Sequence, residues 1–192
     1  MHILAISGSL RAASSNSAIL RTASLVSPAG VVVHVHTGLD DLPYFNPDLD
    51  RDLDDPQLPA AVKALRVRIA LADALLISSP EYAHGVSGMM KNALDWLVGG
   101  AEMVGKPLAL VNTSPHATHA IAAIAETLRT MSATIVDDAC LTLAVPRNCS
   151  DAELAADPYV HTSLRGALER LALAARRDGV PPELRADGIH RA

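Results

Sequence analysis

The stretch His2-Ile3-Leu4-Ala5-Ile6-Ser7-Gly8-Ser9 near the start of the chain decides its fold class. Residues 2–6 form a short, mostly apolar run that predicts a buried strand, and the turn residues that follow end it. Beyond this turn, residues 15–26 carry apolar side chains at helical spacing. A buried strand followed by a turn and an amphipathic helix is the unit from which sheets covered by helices are built.

The same order of strand and helix recurs along the rest of the chain. Further strands are predicted at 31–35, 74–78, 108–112 and from 134 onward, and further helices at 59–71, 87–98, 117–131 and 151–178. Residues 40–58 are rich in Asp and Pro and predict a long loop. Because strands that alternate with helices form a parallel sheet with both faces covered, we predict one α/β domain over residues 1–178. This domain is a three-layer sandwich on five parallel strands, and a loose tail follows over 179–192.

The composition of the 192 residues limits the classes of function. Hydrophobic residues make up 49% and charged residues 19%, which excludes disorder as the main state. Aromatic residues make up only 3% and the net charge is −5, so the chain lacks the stacking rings and the basic surface of a nucleic-acid-binding protein. No apolar run approaches the roughly 20 residues that span a bilayer, and no signal-peptide pattern is present. We therefore expect a cytoplasmic protein with neither a membrane nor a nucleic-acid partner.

The loop after the first predicted strand, residues 8–17, has the composition of a phosphate-binding cradle. Gly8 permits a tight turn, Arg11 supplies a planar positive charge, and the first N–H groups of the next helix point into the same space. The short polar side chains around them are Ser9, Ser14, Ser15, Asn16 and Ser17. The loop is neither a Walker A sequence nor Gly-x-Gly-x-x-Gly, which favours a single terminal phosphate over a pyrophosphate. Alternatively, the Ser and Asn residues only cap the helix, a role that does not require Arg11.

The loop after the third predicted strand, residues 78–88, has the features of a platform for a flat ring. Pro80 and Gly85 bracket a rigid turn, and Tyr82 between them is placed to lie beside such a ring. The backbone N–H groups of the turn and of the next helix can face the polar edge of the ring. The alternative is an ordinary connection between a strand and a helix, with Tyr82 on the surface.

Three motifs in these loops and in the helix after them carry a family resemblance. They are Gly8-Ser9-Leu10-Arg11 with Ser15-Asn16, Pro80-Glu81-Tyr82 with Gly85, and Lys91-Asn92-Ala93-Leu94-Asp95-Trp96. In this order and separation they closely resemble the NADPH-dependent FMN reductase family, and the resemblance covers roughly residues 1–175. It implies a flavodoxin-like fold, bound FMN, and NADPH or NADH as the electron donor.

The resemblance also implies roles for individual residues. The positions that match those holding the FMN phosphate are Ser9, Arg11, Ser15, Asn16 and Ser17. The positions that match the loop bordering the isoalloxazine are Pro80, Glu81, Tyr82, His84 and Gly85. The Lys91–Trp96 helix matches one that helps to build a homodimer or homotetramer in the family, although Trp96 could equally pack in the core.

The loop after the fourth predicted strand departs from the family pattern. The family usually carries a glycine-rich turn at this point, whereas here residues 112–119 contain no glycine. Without glycine the backbone cannot approach the flavin in the same way. Ser114 remains a candidate donor to the flavin, and His116 a candidate neighbour of the ring or of the nicotinamide.

The expected activity is that of a flavin oxidoreductase. A hydride passes from NAD(P)H to FMN, and the electrons go on to a small-molecule acceptor such as free flavin, a quinone, an azo compound or a metal oxyanion. No side chain is required as an acid or base, and backbone N–H groups of residues 81–85 are the candidates to stabilise the reduced ring. Two alternatives are a flavodoxin-type electron carrier and a flavin-free regulatory relative. We predict no metal site, because the pairs His34/His36 and His116/His119 have no further ligand at matching spacing.

Overall fold

The computed structural model describes residues 1–177, which form a central sheet with helices on both sides. The strands are β1 (His2–Ser7), β2 (Val32–Val35), β3 (Ala74–Ser78), β4 (Glu81–Tyr82), β5 (Gly85–Val86), β6 (Pro107–Asn112), β7 (Thr134–Ile135) and β8 (Leu141–Thr142). The helices are α1 (Ser15–Leu25), α2 (Ala60–Leu71), α3 (Gly88–Val98), α4 (His119–Thr130), α5 (Asp151–Ala156) and α6 (Pro158–Arg177). The predicted tail over 179–192 lies outside the described residues.

The order of the strands in the central sheet is β2-β1-β3-β6-β7, and β8 also pairs with β6. All of these pairs are parallel. This is the 2-1-3-4-5 order of flavodoxin-like sheets, in which ligands bind beyond the carboxyl ends of the strands where the strand order reverses. The prediction of a parallel α/β sandwich is confirmed, and the reversal lies between β1 and β3.

Alternate residues along the central strands bury opposite faces of the sheet. Ile3 and Ala5 of β1 pack with α1 and α6, whereas Leu4 and Ile6 pack with α2 and α3. The same alternation continues on β3 and β6, and both strands are buried along their whole length. The two apolar layers explain why the sequence shows continuous apolar runs rather than an alternating pattern.

Gly8 lies where the loops after β1 and β3 come closest together. Its N–H donates to Ser78 O at 2.8 Å, and its carbonyl accepts from Ser87 Oγ at 2.7 Å. A Cβ at this position would lie 2.3 Å from Ser79 Oγ and 2.7 Å from Ser79 Cβ. Only glycine therefore permits the two loops to approach this closely.

The last predicted strand and the last predicted helix are each divided in two. A short turn, residues 137–139, separates β7 from β8 at the edge of the sheet. The helix predicted over 151–178 ends at Ala156, because Asp157 is extended (φ −73°, ψ 117°). Pro158 follows directly, and a proline disfavours helical backbone in the residue before it. The proline was visible in the sequence, so this break was predictable.

Trp96 on α3 belongs to the core rather than to an exposed surface. Its side chain is fully buried, and its Nε1–H donates to Pro43 O at 2.8 Å. Asn92 holds the same segment, since its Nδ2 donates to Pro43 O at 3.0 Å and its Oδ1 accepts from Phe45 N at 2.8 Å. Of the two interpretations of Trp96, the structure supports core packing. Lys91 pairs with Asp95 along the outer side of the helix.

Within residues 1–177, none of the helices combines the length and the apolar character needed to cross a bilayer.

Candidate cofactor site

A cleft of about 920 Å³ opens at the carboxyl ends of β1, β3 and β6. Four segments contribute to its walls, at residues 9–16, 79–82, 112–117 and 144–147. The first three are the loops that the sequence singled out, and the fourth was not predicted. The volume lies within the range of cofactor sites, and the cleft stands where the sheet topology predicts ligand binding.

The phosphate loop (residues 8–17) brings four of its five predicted side chains to the cleft. These are Ser9, Arg11, Ser15 and Asn16. The fifth, Ser17, does not line it: its hydroxyl bonds to Ser7 Oγ at 2.8 Å and its N–H donates to Ser14 Oγ at 3.3 Å. Ser14 both caps the N-terminus of α1 and lines the cleft, so capping of the helix does not keep a residue away from the cleft. The role predicted for Ser17 stays a prediction.

Asn16 joins three of the loops around the cleft. Its side chain is buried, and its Oδ1 accepts from Ser78 Oγ at 2.8 Å and from Thr113 Oγ1 at 3.3 Å. The amide oxygen is thus occupied, and the Nδ2 group is the part of this side chain left to a ligand. Asn16 therefore both fixes the cleft and contributes a donor to it.

The loop after β3 forms a small hairpin, β4–β5, in which Glu81 faces Val86 and Tyr82 faces Gly85. Its two turn residues, Ala83 and His84, have φ of 48° and 60°. Both lie in the left-handed region, where residues with a Cβ are strained by roughly 1–2 kcal/mol each. Pro80, Glu81 and Tyr82 line the cleft, but His84 and Gly85 do not. The roles predicted for these last two residues stay predictions.

Glu81 ties this hairpin to the start of α4. Its Oε2 accepts from Ala120 N at 2.8 Å, and its Oε1 lies 3.1 Å from His84 Nδ1. The Ala120 N–H, followed by the contact with His84, lowers the pKa of Glu81 below its ordinary value. The His84 ring meets the His119 ring edge-on at 4.6 Å. Glu81 is therefore an ionised tie that holds the strained turn in place, a role that the motif alone did not indicate.

The glycine-free loop after β6 owes its shape to Asn112. Its Oδ1 accepts from Ser114 N at 3.1 Å and its Nδ2 donates to Ala117 O at 2.9 Å. The first of these bonds is an Asx-turn, in which a side chain replaces a backbone turn contact. Ser114 and His116 both line the cleft. The Ser114 N–H is already bonded within the loop, so its hydroxyl is the donor that can serve a ligand.

The fourth wall comes from residues 143–149, a segment that we call the strap. It runs beside the loop after β6, where Leu143 N donates to Asn112 O at 2.8 Å and Val145 N donates to Thr113 O at 3.2 Å. It then crosses to the phosphate loop, where Ser15 Oγ donates to Pro146 O at 3.3 Å and Arg11 donates to Asn148 Oδ1 at 2.6 Å. Residues 143–149 carry no pattern that predicts this wall, because its place depends on contacts with two loops that are distant in sequence.

The composition of the walls fits FMN. One end of the cleft carries Arg11, serine hydroxyls and the N-terminus of α1, which suit a phosphate dianion. The other end carries Pro80, Tyr82 and the hydroxyl of Ser114, which suit a flat ring with polar edges. In the described part of the chain, no group of three or more His, Cys, Asp or Glu residues is placed to hold a metal ion.

Curated proteins with related sequences include quinone reductases and an NAD(P)H-dependent FMN reductase. A probable NADPH:quinone oxidoreductase 2 of Oryza sativa subsp. japonica is 42% identical over 99 residues, which are 50% of this chain and 47% of the rice protein. A quinone reductase of Escherichia coli K12 is 34% identical over 116 residues, which are 59% of this chain and 60% of the relative. The chain thus matches between about half and three fifths of the length of these relatives.

Solved structures with the same fold include flavoproteins. FerB, a flavoenzyme NAD(P)H:(acceptor) oxidoreductase from Paracoccus denitrificans, has a TM-score of 0.71 and 26% identity, covering 93% of this chain and 99% of FerB. A flavodoxin from the domain Archaea has a TM-score of 0.56 and 18% identity, covering 91% and 99%. The predicted flavodoxin-like fold is confirmed.

A family model described as NADPH-dependent FMN reductase matches residues 1–144. This range includes β1 to β8, the phosphate loop and the hairpin, and it ends within the strap. The match confirms the resemblance that the three motifs carry, and the chain belongs to the NADPH-dependent FMN reductase family.

Proposed function

We propose that the protein is an NAD(P)H-dependent flavin oxidoreductase that binds FMN in the cleft and reduces a small-molecule acceptor. The observation that carries the proposal is the cleft itself. Its walls combine the phosphate loop, at the N-terminus of α1, with Pro80 and Tyr82 of the loop after β3. The names of the relatives, quinone reductase and NAD(P)H:(acceptor) oxidoreductase, support the reaction class.

The residues of the cleft divide the work of binding between its two ends. Ser9, Arg11, Ser15 and Asn16 hold the phosphate through charge and short donors, aided by the first N–H groups of α1. At the other end, Pro80 and Tyr82 border the ring and Ser114 donates to its polar edge. Bound FMN would supply the redox chemistry that links a reduced nicotinamide to the acceptor.

The protein contributes position and electrostatics rather than an acid or a base. Glu81 is the carboxylate on the cleft wall, and both of its oxygens are occupied by Ala120 N and His84. Since its pKa is lowered, it is ionised at neutral pH and donates no proton. We therefore propose Glu81 as a positioning residue, and backbone N–H groups of residues 81–85 as donors that stabilise the reduced ring.

We further propose a quinone as the acceptor and a homodimer or homotetramer built through the outer side of α3. The acceptor rests on the names of the curated relatives. The assembly rests on the family resemblance of the Lys91–Trp96 helix, with Lys91 and Asp95 available at its surface and Trp96 excluded by burial. Light scattering should give twice or four times the mass of one chain, and a monomer at assay concentration would contradict the assembly. A cytoplasmic location, where the nicotinamide donors are present, completes the proposal.

A purified sample tests the activity directly. We expect a yellow protein, or one that becomes yellow with added FMN, and oxidation of NADPH or NADH when a quinone is present. Free FMN, an azo dye and a metal oxyanion serve as comparison acceptors with each donor. Bound flavin with negligible nicotinamide oxidation would instead indicate a flavodoxin-type electron carrier. Absence of flavin binding would contradict the proposal altogether.

A further inference from the structure

The strap places a second arginine on the cleft beside the phosphate loop. Arg147 lines the same cleft as Arg11, although the two residues are 136 positions apart (147 − 11). The part of the strap that carries it, residues 145–149, lies beyond the residues that the family model matches. Arg147 therefore lies outside the matched range, and the chemistry of its side chain follows from its surroundings.

Both ends of the strap are anchored, which fixes its path across the phosphate end of the cleft. At one end, Leu143 and Val145 bond to the loop after β6. At the other, Ser150 forms a capping box at the start of α5. Asp151 accepts from Arg21 Nε at 3.3 Å and, through its carbonyl, from Thr22 Oγ1 at 3.2 Å, so α5 is held against α1. Arg147 is thus carried on a supported segment rather than on a free loop.

Arg11 and Arg147 are among the arginines of the described chain that have no carboxylate partner. Arg21, Arg66, Arg129 and Arg165 each form an ion pair with Asp or Glu. No ion pair within residues 1–177 includes Arg11 or Arg147. The carboxylate that lines the cleft, Glu81, is occupied at the hairpin. Two cations on one cleft without a neutralising group favour binding of an anion.

Asn148 fixes the position of Arg11 in this arrangement. Its Oδ1 accepts from Arg11 Nη2 at 2.6 Å, which uses one of the five N–H donors of the guanidinium. Its own φ is 59°, a left-handed conformation that Asn tolerates better than most residues. In the strap, therefore, Arg147 lines the cleft and the next residue, Asn148, holds the side chain of Arg11.

We propose that Arg11 and Arg147 form a two-arginine clamp for a phosphate monoester, with Asn148 as the residue that positions Arg11. Two guanidinium groups, the hydroxyls of Ser9 and Ser15 and the N-terminus of α1 match the charge and the three acceptor oxygens of such a group. The 5′-phosphate of FMN and the 2′-phosphate of NADPH are both phosphate monoesters. Where the bound phosphate is that of FMN, the inference rests on the proposed function. It extends the site to Arg147, which lies outside the phosphate loop.

The test compares ligands that differ only in the phosphate. Dissociation constants are measured by flavin fluorescence for FMN against riboflavin, and by calorimetry for 2′-AMP against adenosine. For Arg147→Ala we expect about 10-fold weaker binding of FMN or of 2′-AMP, the affected ligand identifying the source, with riboflavin and adenosine unchanged. Arg147→Lys should recover part of the loss, because it keeps the charge without the fork of donors.

Two further variants separate the clamp from general effects of charge and folding. Arg51→Ala removes an exposed loop arginine that does not line the cleft, and it should bind every ligand as the wild type does. Asn148→Gly keeps the left-handed backbone available and removes the side-chain amide. It should weaken binding of the ligand that Arg147→Ala affects by about 3-fold. All variants should retain the circular dichroism spectrum and melting temperature of the wild type.

The outcomes distinguish this inference from the proposed function. Tighter binding of FMN than of riboflavin by the wild type supports the proposed function. If Arg147→Ala and Arg51→Ala then have equal dissociation constants for FMN and equal ones for 2′-AMP, the clamp is wrong and the proposed function stands. If wild-type protein binds no flavin, the proposed function fails. The 2′-AMP titrations of Arg147→Ala and Arg51→Ala then decide the clamp on their own, and equal affinities would overturn it.

Discussion

The phosphate loop and the β4–β5 hairpin border the same cleft but acquire their shapes in different ways. In the phosphate loop, neighbouring residues shape the backbone, since Ser14 caps α1 and Ser17 bonds to Ser7. In the hairpin, Ala83 and His84 occupy left-handed conformations that a distant tie, from Glu81 to Ala120, holds in place. The phosphate loop thus adds local caps to its distant contacts through Gly8 and Asn16, whereas the strained hairpin turn depends on Glu81. Substitutions in the two loops should therefore differ in their effects on stability, on ligand binding and on the response to pH.

The largest effect is expected from a methyl group at Gly8. In Gly8→Ala the new Cβ would meet Ser79 and force apart the loops after β1 and β3, lowering the free energy of unfolding by about 2 kcal/mol. The hairpin offers a matched control in Gly85→Ala, whose Cβ would lie 3.4 Å from Tyr82 O, an ordinary contact. Urea unfolding of both variants measures the difference. Equal losses of stability would contradict the close approach assigned to Gly8.

Loss of the cation from the phosphate loop should affect binding and leave the fold intact. Arg11 is exposed and its side chain makes a single hydrogen bond, to Asn148, so Arg11→Ala removes little from stability. We expect FMN to bind about 10- to 30-fold more weakly, because a charged hydrogen bond to the phosphate is lost. Titration with riboflavin is the control and should show no change. Unchanged FMN affinity would count heavily against the phosphate assignment.

Glu81 should make the stability of the hairpin depend on pH. Its pKa in the folded protein lies below the ordinary value of 4.5, chiefly through the Ala120 N–H, so the folded state favours the carboxylate. Its contribution is present in full above pH 4.5 and is lost as the pH falls through the lowered pKa. Glu81→Gln should be less stable than wild type at pH 7 and should approach it in acid. If the free energies of unfolding of Glu81→Gln and wild type differed by the same amount at every pH, the contact of the Glu81 carboxylate with Ala120 would be excluded as a source of stability.

The smallest effect should come from relief of strain at the hairpin tip. Ala83 has φ of 48°, and asparagine is favoured over alanine at the first turn position of such a hairpin. Ala83→Asn should therefore raise the free energy of unfolding by about 0.5 kcal/mol. Ala12→Asn in the phosphate loop, where φ is not positive, is the matched control and should give no gain. A gain in both variants would show that the effect is not conformational.

The contrast between the two loops also explains which parts of the structure were predictable. The strands and helices follow from local patterns, and there the sequence predicted the elements. Four of the five side chains predicted for the phosphate loop line the cleft, and their binding roles stay predictions. The placement of Ser17 away from the cleft follows from its contact with Ser7, which its motif does not encode. The tie from Glu81 to Ala120 spans 39 positions and was equally hidden.

The strap shows the limit of this reasoning most clearly. Residues 143–149 have neither helical nor strand periodicity, and their place beside Arg11 follows from pairing with the loop after β6. The break between α5 and α6 at Asp157 is a different case, because Pro158 in the sequence indicates it. A residue-level signal was present there and was outweighed by the apolar spacing on either side of it.

The Asn112 turn has a consequence for the thermodynamics of ligand binding. A glycine-rich loop has more conformational freedom than other loops while no ligand is bound. That freedom is lost when a ligand orders the loop. Here Asn112 closes the loop with two side-chain hydrogen bonds, and the ring of Pro115 restricts the backbone between them. Little entropy remains to be lost at this wall when the cleft is filled. Without glycine the loop cannot approach the flavin as closely, but it is already ordered before the ligand binds.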